Sequence, residues 1–308
     1  MRSGDIRRGH RGRRLVECVP NFSEGRDRGK VEAIVGAIAA VRGVVVLGHE
    51  MDPDHNRSVV TFAGPPAAVV EGALAGVAMA VELIDLRRHT GVHPRIGAAD
   101  VLPFVPVAQV TMEECVALAH QAGEEIWRRL HVPVFFYEAA AQSPERRRLE
   151  NIRRSAAARL VPDIGGPELH ATAGAIAIGA RKLLIAFNIN FDTQDVGMAK
   201  EIARVVRESS GGLPGVKALG FALASRKLVQ VSMNLTDFER TPLHVVFEAV
   251  RREAQRLGVS IAGSELIGFM PRKAVEMTAA AYLKCENLSS LTVLENRIAE
   301  VSGGRLLE

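Results

Sequence analysis

Two imidazoles, a carboxylate and two arginines crowd into Arg88-His89-Thr90-Gly91-Val92-His93-Pro94-Arg95-Ile96-Gly97-Ala98-Ala99-Asp100. Histidine changes charge near neutral pH, so His93, with Arg95 and Asp100 close in sequence, could act as general base or general acid. His89 has a plainer reading, as a cation meeting the unsatisfied carbonyls at the end of the preceding helix. A metal site is not expected: Gly91 and Pro94 disfavour the helical turn that would stack the two histidines, and no third ligand is local.

A second polar set stands at the ends of apolar segments: Asn21, Asn56, Asn188 and Asn190, with Arg57 directly after Asn56 and Glu50 shortly before it. Each asparagine alone is a common turn residue. Gathered beside Glu50, Arg57, His93, Arg95 and Asp100, they would offer donors, acceptors and both signs of charge. That suits a polar planar heterocycle and a partner bearing a carboxylate, which an arginine fork grips bidentately. No G-x-G-x-x-G follows a strand and no P-loop is present, so dinucleotide and nucleoside triphosphate chemistry are not indicated.

The elements that must position these residues occur twice. Leu15 to Val19 alternates as a strand ending at Pro20-Asn21; a helix from Asp27 to Ala40, strands Val44 to Leu47 and Asn56 to Ala63, a helix from Pro65 to Leu86 and a strand through Pro106 follow. The order β-α-β-β-α-β returns in the strand Leu183 to Asn190, the helix Asp195 to Glu208, strands Val216 to Leu223 and Leu228 to Met233, the helix Pro242 to Leu257 and a strand from Val259. The expected class is therefore α+β, with two ferredoxin-like lobes, each a sheet with helices on one face, and a ligand cleft between them. Between the repeats lie a helix Thr111 to Leu130, a strand Val132 to Tyr137 and a charged stretch Pro144 to Arg159. The glycine-rich segment Gly165, Gly166, Pro167, Glu168, Leu169, His170, Ala171, Thr172, Ala173, Gly174 has two readings, a linker or a backbone that lets a ligand approach closely.

Composition narrows the class. A chain of 308 residues, 47% hydrophobic, exceeds one compact core, and the expected divisions are a disordered basic leader over 1–14 and lobes over 15–179 and 180–308. The formal charge is +4, yet the first fourteen residues carry six arginines against Asp5, a net +5 that leaves −1 for the rest. The basic balance belongs to the leader, and aromatics are sparse, so nucleic-acid binding is not expected. Cys18, Cys115 and Cys285 are widely spaced and form no C-x-x-C pair, which fits a reducing, cytoplasmic setting. The longest apolar run, Val69 to Val81, is interrupted by Glu71 and reads as too short to span a membrane.

Leu15-Val-Glu-Cys-Val-Pro-Asn-Phe-Ser-Glu-Gly25, Asn56-Arg57 before Val-Val-Thr-Phe, His93-Pro-Arg-Ile-Gly-Ala-Ala-Asp100 and Ala186-Phe-Asn-Ile-Asn190 together resemble the formiminotransferase domain of glutamate formiminotransferase. The resemblance runs from about Leu15 to Glu286. It implies transfer of the formimino group from N-formiminoglutamate to tetrahydrofolate as co-substrate and a homodimer, with a separate cyclodeaminase as a candidate partner. It also implies His93 as the catalytic residue and Gly165 through Gly174 as folate-binding, so that Gly174→Val is expected to cost folate affinity before stability. In that reaction His93 takes the proton from folate N5 and returns it to the departing amine. Glu50 or Asp100 stabilises the positive charge of the amidinium-like substrate and intermediate, and Arg57 or Arg95 grips a carboxylate. Glutamate formyl transfer in the same pocket, and folate binding without turnover, remain as alternative readings.

Overall fold

The computed structural model describes residues 14–53, 55–91, 94–156, 161–223, 226–289 and 292–302. The expected disordered leader, but for Arg14, and the catalytic assignment to His93 lie outside the described residues. The chain divides between Lys182 and Leu183 into two compact units.

The first unit runs β1 (Leu15–Cys18), β2 (Asn21–Phe22), α1 (Arg28–Ala39), β3 (Val45–Asp52), β4 (Arg57–Gly64), α2 (Pro66–Leu83), β5 (Ala99–Ala108), α3 (Met112–Leu130), β6 (Val134–Glu138), α4 (Leu149–Ala156) and β7 (Ile176–Ala180). β1 and β2 are one interrupted strand, both lying antiparallel between β4 and β5. β3 forms one edge beside β4, and β7 runs parallel to both β5 and β6 at the other end. Side chains alternate across a strand, and one alternate set, with Val16, Phe22, Phe62 and Phe104, packs against Ile34 and Ile38 of α1, Val69 and Val77 of α2, and Ala119 and Ile126 of α3. Asp27 caps α1, and Thr111 with Glu114 forms a capping box on α3. At 18 residues α2 is longer than the apolar run read from sequence and meets, by length and composition, the requirement for a membrane span. Its apolarity is accounted for by burial: Val69, Val70, Ala73, Leu74, Val77 and Ala80 are all inside this core.

The expectation of helices on one face fails here. Val134-Phe135-Phe136-Tyr137 sends Val134 and Phe136 into the main core, while Phe135 and Tyr137 join Val101, Ala175, Ala177 and Ile152 of α4 in a second cluster on the opposite face. A continuous apolar strand is one buried on both sides, so the charged stretch after it has to supply a covering helix. Linker behaviour of the glycine-rich segment is overturned too. It leads into β7, an interior strand between β5 and β6 of the first unit.

The second unit runs β8 (Ile185–Phe191), α5 (Val196–Val206), β9 (Val216–Leu223), β10 (Leu228–Leu235), α6 (Leu243–Arg256), β11 (Ile261–Ile267), α7 (Arg272–Leu283) and α8 (Leu294–Ser302). Its antiparallel sheet has the order β11-β8-β10-β9. Ile185, Phe187, Ile189, Val229, Val231 and Met233 point to the face that α5 and α6 cover through Ile202, Val206, Val246 and Val250. The intervening residues Asn188, Asn190, Gln230 and Ser232 therefore belong to the other face. β7, α7 and α8 are elements the sequence reading did not separate.

Candidate active site

One row of paired residues crosses the first sheet. Glu50 lies opposite Val59, Val59 opposite Asn21, Asn21 opposite Val101, Val101 opposite Ala177 and Ala177 opposite Phe135. Directly paired residues share a face. Val101, Ala177 and Phe135 are sealed under Leu149 and Ile152 of α4, whereas Asn21, Val59 and Glu50 stand outside that cluster. Arg57, two residues before Val59, shares the face and donates through Nη2 to Asn21 Oδ1. Burial pushes the Arg57 guanidinium down to about 10, opposed by the Asp100 carboxylate and assisted by Arg153 and Arg95, so it remains protonated at neutral pH.

Asp100 is 2% exposed, and both its oxygens are occupied. Oδ1 accepts the Ile96 N–H at 2.7 Å, and Oδ2 accepts from Arg153 Nη2 at 2.6 Å. The carboxylate thus ties the loop before β5 to α4. Three arginines, 57, 95 and 153, share the electrostatic neighbourhood of this one carboxylate, and the surplus of positive charge suits an anionic group. Arg153 is a residue sequence reasoning missed. It lay in a stretch read only as charged, and the signal that marks it is the buried Ile152 beside it, which orients one side of α4 inward. Replacing Arg153 by leucine would leave Asp100 Oδ2 without its donor, with the Arg57 and Arg95 charges still nearby, and the expected loss of stability is about 1.5–3 kcal/mol. Denaturant unfolding of the purified variant measures it, and a loss below about 1 kcal/mol would mean that the pair is not what holds α4.

The Asn-Phe-Ser-Glu-Gly motif is a lacing device. The Ser23 hydroxyl donates to Gly97 O at 2.7 Å and its backbone N–H to Ala98 O at 2.8 Å. Glu24 Oε1 accepts the Arg26 and Asp27 N–H groups at 2.9 and 3.0 Å, ahead of α1. At Gly25 a Cβ would lie 2.3 Å from Asp52 O and 2.4 Å from Arg57 N, so only glycine fits. Asn56, at a positive φ of 47°, spans two loops: its Oδ1 accepts the Gly25 N–H at 2.9 Å and its Nδ2 donates to Thr90 O at 3.0 Å. Its amide is committed to the scaffold that holds Arg57.

His89 caps a short 3-10 helix (Leu86–Arg88) through its backbone N–H, which donates to Leu86 O at 3.2 Å, but its side chain is not the cation expected at the helix end. Its Nε2 lies 3.2 Å from Asn56 O, and the Arg95 guanidinium rests against its ring. Burial, and then the Arg95 charge, lower its pKa and favour the neutral imidazole, so it brings no positive charge to the helix end. Arg95 is itself only partly buried.

The glycine-rich segment is joined to the same loop by backbone pairing. Ala98 N–H donates to Ala173 O and Ala175 N–H to Ile96 O, both at 2.9 Å, around an antiparallel bridge of Gly97 with Gly174. His170 and Gly174 exchange two 2.9 Å backbone bonds, and His170 Nδ1 accepts the Ala173 N–H at 3.1 Å. The turn leaves Pro167, Glu168, Leu169 and Ala171 exposed, with Gly165, Gly166, His170 and Thr172 half-buried and Ala173 and Gly174 buried. Its tip is available for contact and its base belongs to the fold.

Asn21, Arg57, Arg95 and Asp100 thus share one neighbourhood, with Glu50 exposed on the edge strand and Asn56 behind them. Asn188 and Asn190 belong to the second unit, on the open face of its own sheet. Asn190 Nδ2 donates to Glu265 Oε1 and its Oδ1 accepts from Gln230 Nε2, both at 2.8 Å. Among the described residues no three His, Cys, Asp or Glu side chains gather as a metal site would require.

Residues 15–181 match the family model described as the formiminotransferase domain, N-terminal subdomain, and residues 186–302 match that of the formiminotransferase domain. The chain is 44% identical to the glutamate formimidoyltransferase of Thermoplasma acidophilum, over 94% of this chain and 98% of that one. It is 41% identical to the protein of the same name from Streptococcus pyogenes, over 92% and 99%. It is also 45% identical to the formimidoyltransferase-cyclodeaminase of Rattus norvegicus, over 89% of this chain and 53% of that one, so the chain spans about half of this longer relative.

Proposed function

The chain belongs to the formiminotransferase family, and from that membership we propose that it transfers the formimino group of N-formiminoglutamate to tetrahydrofolate, giving 5-formimidoyltetrahydrofolate and glutamate. The observation that carries the reading is the likeness of the whole chain, both units included, to relatives bearing the glutamate formimidoyltransferase name. His93, assigned from the sequence, takes the proton of folate N5 as that nitrogen attacks the formimino carbon, and as imidazolium returns it to the departing glutamate nitrogen. Arg57 and Arg95 grip a substrate carboxylate, supported by the positive surplus around Asp100. Glu50, exposed on the same sheet face, offsets the positive charge of the formimino carbon, while Asp100, with both oxygens taken, positions the loop. The exposed tip of the turn between Gly165 and Gly174 contacts the folate.

The ferredoxin-like description of both units belongs to the same proposal. It is supported by the βαββαβ order of each and by a sheet in the second unit whose fourth, first, third and second strands lie side by side. A homodimer in the cytoplasm, working beside a separate cyclodeaminase that consumes the product, completes it; the free cysteines support the compartment and the double name of the longer relatives supports the cyclodeaminase.

Release of glutamate from N-formiminoglutamate, dependent on tetrahydrofolate, is the test. N-formiminoglutamate should exceed N-formylglutamate in kcat/KM by roughly tenfold or more. A preference for the formyl donor would make the protein a formyltransferase, and reduced-folate binding with no turnover of either donor would leave it a binding protein.

A further inference from the structure

His89 and Arg95 stand four residues before and two residues after His93 in the sequence, and their side chains meet. The contact fixes the place of a proton. Asn56 O, 3.2 Å from His89 Nε2, can only accept, so Nε2 must carry the hydrogen. The Arg95 guanidinium, resting against both ring nitrogens through Nη1, can only donate, and Nδ1 is the nitrogen left to offer it a lone pair. One neutral tautomer therefore satisfies both partners. An imidazolium, with N–H at both nitrogens, would lose the bond to Arg95 and set two like charges together.

The guanidinium has a shaped seat. Its Nη2 reaches His55 O at 3.4 Å, and Gly91 leaves room for it: a Cβ there would lie 2.7 Å from Nη2 and 2.6 Å from His55 O. Asn56 braces the seat, its amide joined to the Gly25 N–H and Thr90 O and its carbonyl to His89. Ring, glycine and carbonyl thus hold the plane of Arg95, which a loose surface arginine would have to order on meeting a ligand. The charges around His89 act unequally. Burial first and the Arg95 charge second hold its imidazolium below the ordinary histidine range, opposed by the Asn56 carbonyl, Glu24 and Ser23. Glu24 is engaged elsewhere: its Oε1 accepts the Arg26 and Asp27 N–H groups and its Oε2 lies 3.7 Å from Lys30 Nζ. Arg26 adds a further positive charge, its Nη1 lying 3.3 Å from Thr90 Oγ1, and the His55 ring is paired with Asp52.

We propose that neutral His89 is the positioning residue for Arg95, holding its guanidinium in the orientation that grips a substrate carboxylate. The inference rests on the formimino-transfer reading, in which two substrates bring that group: N-formiminoglutamate, and the glutamate moiety of the folate. Loss of the imidazole, or its protonation, releases Arg95 and weakens the grip while leaving the proton transfer itself intact.

His89→Leu, His89→Gln, Arg95→Leu and the double variant His89→Leu/Arg95→Leu, each checked by a thermal melt, are assayed with each substrate varied in turn. Calorimetric titration with N-formiminoglutamate and with a stable reduced folate reads binding without turnover. Glutamine can donate to Asn56 O and accept from Arg95 but has no proton to gain. The expected result is a KM and Kd at least about tenfold higher for one substrate in His89→Leu, with kcat within about threefold of the parent protein. The double variant should bind within about twofold of Arg95→Leu alone, because both changes remove one interaction. At about pH 8 His89→Gln should bind within about threefold of the parent; as the pH falls below the ordinary histidine value of about 6.5, the parent should lose affinity and His89→Gln should not. The substrate that responds is the one whose carboxylate Arg95 holds. Unchanged affinity for both substrates in folded His89→Leu overturns the proposal, as do losses that multiply in the double variant. Tighter binding by the parent on acidification would make the imidazolium itself the anion partner and overturn it too. If His89→Leu does not fold, parent and His89→Gln decide by their pH profiles, and an acid loss of equal size in both rejects the role of His89. An inactive parent whose ligand binding still depends on His89 through Arg95 would reject the proposed reaction and keep the positioning; an active parent indifferent to His89 would reject the positioning alone.

Discussion

His93→Ala is expected to lower turnover by at least about a hundredfold, equivalent to roughly 2.7 kcal/mol of activation free energy, with reduced-folate affinity nearly unchanged. The transfer moves a proton off one nitrogen and onto another, so removal of the one group that cycles between base and acid damages both halves of the reaction. The chain on either side of that position is pinned. Thr90 O accepts from Asn56 and the Ile96 N–H donates to Asp100. A pH profile adds a readout that a structural role would not move: the parent protein should lose kcat/KM on the acid side, where the imidazole is already protonated, and the variant should lack that limb. Turnover that survives with only binding impaired would make His93 a binding residue. Treatment with a chelator should leave the parent rate unchanged, because the proposed steps need only side chains and the two substrates.

What could be read in the sequence follows from what each signal depends on. The two βαββαβ repeats were legible because hydrophobic period and turn residues are local: Asp27 and Asp195 do cap α1 and α5, and Pro65 does precede α2. The neighbourhood of Asn21 and Arg57 was legible for a similar reason, since both stand at strand ends, Arg57 two residues before the Val59 that pairs with Asn21. What was not legible depends on partners distant in the chain. Ile152 and Arg153 look like any amphipathic surface turn until β6 and β7 present a second apolar face and Asp100 a second charge. Ile176-Ala-Ile-Gly-Ala180, short and small, reads as loop or strand equally well, and its place between β5 and β6 is fixed by parallel pairing with both. The asparagines of β8 show the limit most clearly. Nothing in Asn188-Ile189-Asn190 distinguishes them: Glu265 lies directly opposite Asn188, yet its side chain and that of Gln230 hydrogen-bond to Asn190.

Gly174→Val, expected from sequence to weaken folate binding before it weakens the fold, is now expected to do the reverse and cost more than about 3 kcal/mol of stability. Gly174 has a φ of +69°, in the left-handed region that β-branched residues avoid. A Cβ there would sit 2.3 Å from Ile96 O and 2.9 Å from Leu86 Cδ1, and the first of these is backbone in the loop that pairs with the segment itself. Relief would require opening the Gly97–Gly174 bridge, which holds the loop carrying Arg95 against the start of β7. The first atom of the side chain makes the collision, so Gly174→Ala should be nearly as damaging as valine. Gly166 is the internal control: nothing lies within 4 Å of a Cβ built there, and Gly166→Ala should fall within about 0.5 kcal/mol of the parent protein. Denaturant unfolding of the three variants, beside titration with a reduced folate, separates the two accounts. A Gly174→Ala protein as stable as the parent but unable to bind folate would restore the ligand-contact reading, whereas a large loss of stability at Gly174 with Gly166→Ala unaffected places this glycine in the framework of the site.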